Sequence, residues 1–139
     1  MTFWDISALA PLIYEEEDSL QREGFLSKDP RIVLWYGTPM ELESALSRRV
    51  REGSLAMDQA HLARKKVERM AASWLEVEPS REVRDRALRL LRVHSLRSAD
   101  AFQLSAALIV TNERPAGHWF LTADNRLTLA AEAEGFSVE

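Results

Sequence analysis

The chain has 139 residues and a net charge of −4, a length that suits one domain, spanning residues 1–139, with a core of its own. Hydrophobic residues make up 46% of the sequence and charged residues 29%, which is ordinary for a soluble globular protein. The absence of cysteine excludes a disulfide framework, a thiolate nucleophile and a zinc–cysteine site. No secretory leader is recognisable, and the longest mostly apolar run, 101–110, is far shorter than the roughly 18 residues of a membrane span. We therefore expect a cytoplasmic protein without membrane contact.

Charge is distributed unevenly along the chain. Residues 48–97 contain 13 basic and 7 acidic residues, whereas the segments before and after them are acidic. A basic middle segment could steer a polyanion toward the protein. Arginine and lysine covering solvent-facing helices would give the same composition, so both interpretations stay open.

Short apolar runs alternate with segments of helical periodicity along the chain. The runs predict strands because they are brief, β-prone and bounded by turn residues. Since parallel strands need long crossovers, strands separated by helices predict an α/β domain with a mostly parallel sheet. The predicted strands are 2–5, 31–36, 74–77 and 118–122, with 136–138 as a final edge strand.

Each intervening helix has a candidate capping residue at its start. The sequence from Thr38 to Glu41, with Pro39 at the first helical position, is typical of a capping box. Gly135 would end the last helix. The residues predicted to begin helices are Ser7, Ser19, Thr38, Ser54, Ser80, Ser98 and Asp124.

Acidic residues stand where predicted elements begin or end. Asp5 ends the first strand and Asp124 follows the fourth, while Glu41 and Asp100 lie in the first turns of helices. Ligands of open parallel sheets bind beyond the carboxyl ends of the strands. Clustered carboxylates repel one another unless a cation is present, and oxygen ligands suit Mg²⁺ or Mn²⁺. The pattern thus favours metal-assisted phosphodiester hydrolysis.

Every one of these acids also has a structural interpretation. Asp5 and Asp124 would make good helix N-caps, and Asp100 would favour a helix start through the dipole. Glu43 competes with Glu41 as the ligand, and Asn125 is an alternative to Asp124.

Four motifs in order resemble those of the PIN-domain ribonucleases, and specifically the VapC-type toxins of bacterial and archaeal toxin–antitoxin pairs. The resemblance covers nearly the whole chain. Each motif alone is weakly specific, and the ordered set is far more so. The motifs are Asp5-x-Ser7-Ala8-Leu9, Thr38-x-x-Glu41-x-x-Ser44-Ala45-Leu46-x-Arg48, Leu96-Arg97-x-x-Asp100-Ala101-x-x-Leu104-x-x-Ala107 and Thr122-x-Asp124-x-Arg126-Leu127.

This resemblance implies a PIN-like three-layer α/β/α fold with about five strands in the order 3-2-1-4-5. It implies an Mg²⁺- or Mn²⁺-dependent endoribonuclease that acts as a toxin. The implied partners are an RNA substrate, a VapB-like antitoxin and a second copy of the chain, with DNA bound only through the antitoxin complex. The implied metal-site acids are Asp5, Glu41, Asp100 and Asp124, with Ser7, Thr122 and Arg97 in supporting positions.

Two non-catalytic interpretations compete with the nuclease. One is a receiver-like phosphoacceptor domain, although only one acid ends the first strand and no lysine follows Lys66. The other is a regulatory binding module that acts through its antitoxin. Whatever the function, the helical hairpin of residues 38–74 is the best candidate for a partner surface. Charge substitutions at Ala63, Val67 and Met70 would abolish complex formation if these residues face a partner, and would unfold the isolated protein if they belong to the core.

Overall fold

The computed structural model describes residues 1–139 and contains a four-stranded parallel sheet with helices on both faces. The predicted α/β class with a parallel sheet is confirmed. The elements in chain order are β1 (Thr2–Trp4), α1 (Ile6–Ile13), α2 (Ser19–Lys28), β2 (Val33–Trp35), α3 (Thr38–Arg51), α4 (Met57–Ala71), β3 (Leu75–Val77), α5 (Arg81–Val93), α6 (Ser98–Val110), β4 (Trp119–Leu121) and α7 (Asn125–Glu134).

The strand order is β3-β2-β1-β4, with every pair parallel. The expected neighbourhood of the first and fourth strands is confirmed, but the count of five strands is wrong. Residues 136–138 form only one isolated bridge, between Ser137 and Trp119. Gly135 ends α7 with a left-handed backbone, and Phe136 then enters the core, so too little chain runs along β4 to build a ladder.

The two faces of the sheet bury two separate apolar clusters. Successive strand residues point to opposite faces, so that Phe3 joins one cluster and Trp4 the other. Helices α5, α6 and α7 cover the Phe3 side, and α1 to α4 cover the Trp4 side. The result is the three-layer α/β/α arrangement. None of the helices has the length and apolar character that crossing a membrane requires.

Several predicted helix caps are wrong. The cap of α1 is Asp5 rather than Ser7. Thr38 lies inside α3, Gly37 is the cap, and the predicted capping box with Glu41 does not form. Ala56 and Arg97 replace Ser54 and Ser98 as the residues before α4 and α6. The predicted caps Ser80 and Asp124 are confirmed, each accepting a backbone N–H of its own helix.

The α3–α4 hairpin uses its apolar face within the chain. Ala63 is buried in the Trp4-side cluster, and Val67 and Met70 pack against that cluster. The structure thus favours the core interpretation of these three residues, and a partner surface on the hairpin stays a prediction. The face of α4 that these residues form is turned toward the domain's own sheet.

Two leucines of α7 provide a test of this packing. Leu127 is fully buried and Leu129 is 67% exposed. We expect Leu127→Ala to lower the free energy of unfolding by about 2–5 kcal/mol, because it leaves a cavity in the core. Leu129→Ala should change it by less than about 0.5 kcal/mol. Urea unfolding of both variants measures the difference, and equal destabilisation would contradict the placement of α7.

Candidate metal centre

Asp5 lies at the carboxyl end of β1, one of the two inner strands of the sheet, and is almost fully buried. Its backbone N–H donates to the carbonyl of Leu121 at 3.0 Å. Three donors converge on its Oδ2: the Ser7 hydroxyl at 2.6 Å, the Thr122 hydroxyl at 2.9 Å and the Ser7 backbone N–H at 3.3 Å. Burial raises the pKa of Asp5, and these hydrogen bonds oppose that rise. Asp5 is thus a helix cap and a positioned carboxyl at the same time.

The two hydroxyls also tie the β1–α1 turn to the β4–α7 turn. The Ser7 oxygen accepts from the backbone N–H of Ala123 at 2.8 Å, and the Thr122 oxygen accepts from that of Asp124 at 3.1 Å. With these acceptor positions occupied by N–H groups, both hydroxyl protons can point to Asp5. Ser7 and Thr122 therefore lie where a supporting role requires them.

Glu41 reaches the same edge of the sheet from the first turn of α3. Its Oε1 accepts from the Gln103 side-chain amide at 2.8 Å, and that amide also donates to the Thr38 hydroxyl at 3.1 Å. The pKa of Glu41 is raised to about 7, chiefly by burial, then by the charge of Asp5 and, less strongly, by that of Asp100, while the Gln103 hydrogen bond opposes the rise. The charges of two other predicted acids, Asp5 and Asp100, thus act on Glu41.

Glu43, the competing candidate, lies on the outside of α3. Its carboxylate accepts two hydrogen bonds from the Arg64 guanidinium, each at 3.0 Å, which hold the pKa of Glu43 below its usual range. It contributes nothing to the pKa of Glu41. Between the two glutamates, the structure brings Glu41 to Asp5.

Asp100 occupies the first turn of α6. Its Oδ2 accepts the backbone N–H of Arg97 at 3.2 Å, and the Arg97 guanidinium lies 3.7 Å from the same oxygen. The Arg97 side chain is 80% exposed, so it is a solvated partner of Asp100 at the rim of the site.

Asp124 is joined to the other acids less directly. Its Oδ1 caps α7 by accepting from the N–H of Leu127 at 2.9 Å, and its own N–H donates to Thr122. It is not among the charges that raise the pKa of Glu41. Asn125, the alternative ligand, is exposed at the first position of α7. The structure therefore groups Asp5, Glu41 and Asp100 and links Asp124 to them through Thr122.

The donor chemistry of this edge suits a hard divalent cation. One oxygen each of Glu41, Asp100 and Asp124 accepts no hydrogen bond, and all three bonds to Asp5 go to Oδ2. Carboxylate oxygens left open in this way are the ligands that Mg²⁺ and Mn²⁺ prefer. In the present side-chain positions no three acids or histidines lie close enough together to enclose an ion. The residues of this edge therefore suit a divalent cation in the type and charge of their ligand atoms, and their present positions do not enclose one.

Two polar residues of the site were not predicted from the sequence as site residues. Gln103 is buried in the middle of an apolar helix, and Thr38 is fully buried at the start of α3. The one available signal was a glutamine within the apolar run 101–110, because an unpaired amide is costly to bury. The partners that satisfy it, Thr38 and Glu41, are more than 60 residues away.

Comparison with known proteins adds a fold likeness at low sequence identity. No family model matches the chain, and no curated protein matches it. Among solved structures, the crystal structure of FitAcB from Neisseria gonorrhoeae contains a similar chain, with a TM-score of 0.69 and 13% identity. The alignment covers 99% of this chain and 96% of that one. At this identity the likeness establishes a shared fold over essentially the full length.

The raised pKa of Glu41 makes a prediction about stability. Between pH 4.5 and about 7 the unfolded chain ionises Glu41 while the folded protein keeps the proton, so stability falls as the pH rises through this range. Glu41→Gln cannot ionise. At pH 7.5 in chelator it should be more stable than the wild type by about 1–2 kcal/mol, a figure reduced for the partial exposure of the carboxyl. The gain should shrink as the pH approaches 4.5.

Thermal unfolding monitored by circular dichroism measures this difference, which corresponds to a few degrees in the midpoint. Glu43→Gln is the matched control and should be neutral or slightly destabilising, since it loses the Arg64 pair. A Glu41→Gln protein no more stable than the wild type at pH 7.5 would contradict the crowding of these carboxyls.

Proposed function

We propose that this protein is a metal-dependent endoribonuclease of the PIN-domain type, acting as the toxin of a toxin–antitoxin pair. The observation that carries the proposal is the gathering of Asp5, Glu41 and Asp100 at the carboxyl edge of the sheet, where burial, together with the charges of Asp5 and Asp100, raises the pKa of Glu41 to about 7. Such crowding is costly in a site without a cation and is typical of functional sites.

Two further observations support the proposal. The ordered motifs that resemble PIN-domain ribonucleases carry all four acids, and the three-layer fold implied by that resemblance agrees with the observed layers. The likeness to FitAcB from Neisseria gonorrhoeae extends over 99% of the chain. That likeness supports the fold, and the acids support the chemistry.

The residues of the chain would divide the work as follows. A bound Mg²⁺ or Mn²⁺ supplies charge stabilisation for a phosphodiester and a more acidic water. Asp5, held by Ser7 and Thr122, is the fixed ligand, and Glu41 is the ligand held by Gln103. Asp100 and Asp124 approach from the starts of α6 and α7. Ser7, Thr122 and Gln103 are positioning residues, since they act through the carboxylates.

The partners belong to the same proposal. We infer a single-stranded RNA substrate, a homodimer and a VapB-like antitoxin that blocks the acidic edge, with DNA contacted only through the antitoxin. The basic segment 48–97 supports the polyanion part, because its 13 basic residues outnumber its 7 acidic residues in a chain that is acidic as a whole.

The phosphoacceptor alternative has less support in the structure. A receiver-like domain needs a phosphorylatable aspartate after a strand next to the one that ends in the metal-binding acid. Here β2 separates β1 from β3, and the residues after β3 are Glu78 and Pro79. No specific observation favours that function.

The proposal predicts cleavage of single-stranded RNA that requires the metal and the grouped acids. With Mg²⁺ or Mn²⁺ the wild type should cleave, and excess chelator should stop it. Asp5→Asn and Glu41→Gln should each lose at least about a hundredfold in rate, because each removes a proposed ligand. Glu43→Gln, two residues away on the outer face of α3, should cleave like the wild type. Gel analysis of a labelled RNA measures these rates.

Cleavage that persists in chelator, or that survives Asp5→Asn in protein free of contaminating nuclease, would contradict the proposal. So would equal losses in Glu41→Gln and Glu43→Gln.

The Thr122 hydroxyl gives a second prediction about activity. Thr122→Val removes a donor to Asp5 and leaves the shape of the side chain, and we expect cleavage to fall about 10–100-fold. Thr128→Val is the control, since its hydroxyl only bonds the carbonyl of Asp124 within the first turn of α7. Rates are compared at a temperature where circular dichroism shows both variants folded. Equal activity in the two variants would remove Thr122 from the site.

A further inference from the structure

A groove of about 440 Å³ lies beside the candidate metal centre, on the α5–α6 side of the sheet. One part of its wall is aromatic, formed by Trp35 at the end of β2 and Phe102 of α6. The other part is basic, formed by Arg81 and Arg84 of α5. We propose that this groove binds single-stranded RNA, with a base extending the aromatic stack and the neighbouring phosphates on the two arginines; this rests on the proposed function.

The aromatic wall is flat and held in place. The rings of Trp35 and Phe102 are stacked with an interplanar angle of 2° and centroids 5.3 Å apart. Both side chains are half-buried against the core. Gly37 leaves room for the indole in this position, since a Cβ there would lie 2.7 Å from its Nε1. A rigid, half-exposed aromatic surface is the form of side chain on which unpaired bases stack.

The basic wall is free to bind an anion. Arg81 makes no ion pair. Arg84 makes only a long, exposed contact, with 4.0 Å between its guanidinium and the carboxylate of its neighbour Asp85. The one acid of this first turn, Glu82, lines a different depression together with Asp85 and Arg86. A nucleotide combines a planar apolar base with an anionic phosphate, and the groove offers a matching surface for each part.

The aromatic residues of the groove lie close in sequence to the residues of the hydrogen-bond network that holds the candidate metal ligand Glu41. Phe102 precedes Gln103, whose amide holds Glu41, and Trp35 lies three residues before Thr38, which accepts from the same amide. RNA in this groove would therefore contact the outer side of the elements that carry the candidate metal ligands. The groove would thus position an RNA strand relative to the four acids, while its arginines make no ion pair with those acids.

The test measures binding of a fluorescein-labelled single-stranded RNA of mixed sequence to the full chain in chelator, by fluorescence anisotropy at several salt concentrations. Arg81→Ala/Arg84→Ala should weaken binding on the order of tenfold and make the log–log salt dependence shallower by about 1.4. Arg31→Ala/Arg114→Ala, which removes two exposed arginines outside the basic segment 48–97, should leave that slope unchanged. Phe102→Leu should weaken binding about fivefold or more with no change of slope.

A spectroscopic arm separates base stacking from a structural role. Unlabelled RNA should quench tryptophan fluorescence in the wild type. Trp35→Phe keeps an aromatic face, so it should retain affinity and lose most of the quenching. Equal affinities and slopes in the groove and control variants would overturn the inference. So would groove variants that change only the solution mass in light scattering, because the groove would then be an interface between copies.

This outcome is separable from that of the proposed function. Metal-dependent cleavage with groove variants that bind normally would refute the groove and leave the nuclease. Groove-dependent binding without any cleavage in Mg²⁺ or Mn²⁺ would support the groove and refute the nuclease.

Discussion

A buried carboxyl group is the constraint on which the arrangement of this molecule depends. Asp5 follows β1, one of the two inner strands of the sheet, and its burial is costly unless polar partners meet it. The Ser7 and Thr122 hydroxyls meet it, and through them the turns after β1 and β4 are fixed to one another. The parallel pairing of β1 with β4 is what makes these contacts possible. One side chain thus links strand order, two helix starts and the geometry of the site.

The second link runs through Gln103 from one side of the sheet to the other. Its helix α6 packs with the Phe3-side cluster, whereas α3, which carries Glu41, packs with the Trp4-side cluster. The amide of Gln103 joins them at the carboxyl edge of the sheet. A protein selected only for stability would not crowd three carboxyls there, because a raised pKa at neutral pH is a loss of folding free energy. Local loss of stability of this kind is expected where a site holds a ligand.

Much of this architecture could be predicted from the sequence, because its signals are local. Short apolar runs predicted the four strands, and Ser80 and Asp124 predicted two helix starts. The missing fifth strand could not be foreseen from Phe136-Ser137-Val138, since the same alternation serves a ladder or a single bridge. The capping box at Thr38 failed because tertiary contacts compete with local ones. Thr38 and Glu41 both turn to Gln103, a partner that no local pattern identifies.

For the four acids, too, local sequence predicted their positions, whereas tertiary contacts decided which of them lie together. Their positions at element ends came from the sequence, and their resemblance to an ordered motif set gave them a joint role. The choice of Glu41 over Glu43 needed the structure, because both lie in the first half of α3 and their partners, Gln103 for Glu41 and Arg64 for Glu43, lie on other helices. The sequence left open whether Asp124 is a ligand or a helix cap, and its capping bond to Leu127 is compatible with either role.

The most direct test of the central claim is the anomalous scattering of crystals grown or soaked with Mn²⁺. We expect one or two peaks at the carboxyl edge of the sheet, with Asp5 and Glu41 oxygens roughly 2.0–2.3 Å from the ion. Asp5→Asn crystals should lack them. Ordered Mn²⁺ only at the acidic run 15–18, or no peak beside Asp5 at saturating metal, would contradict the assignment of these carboxylates as a metal centre.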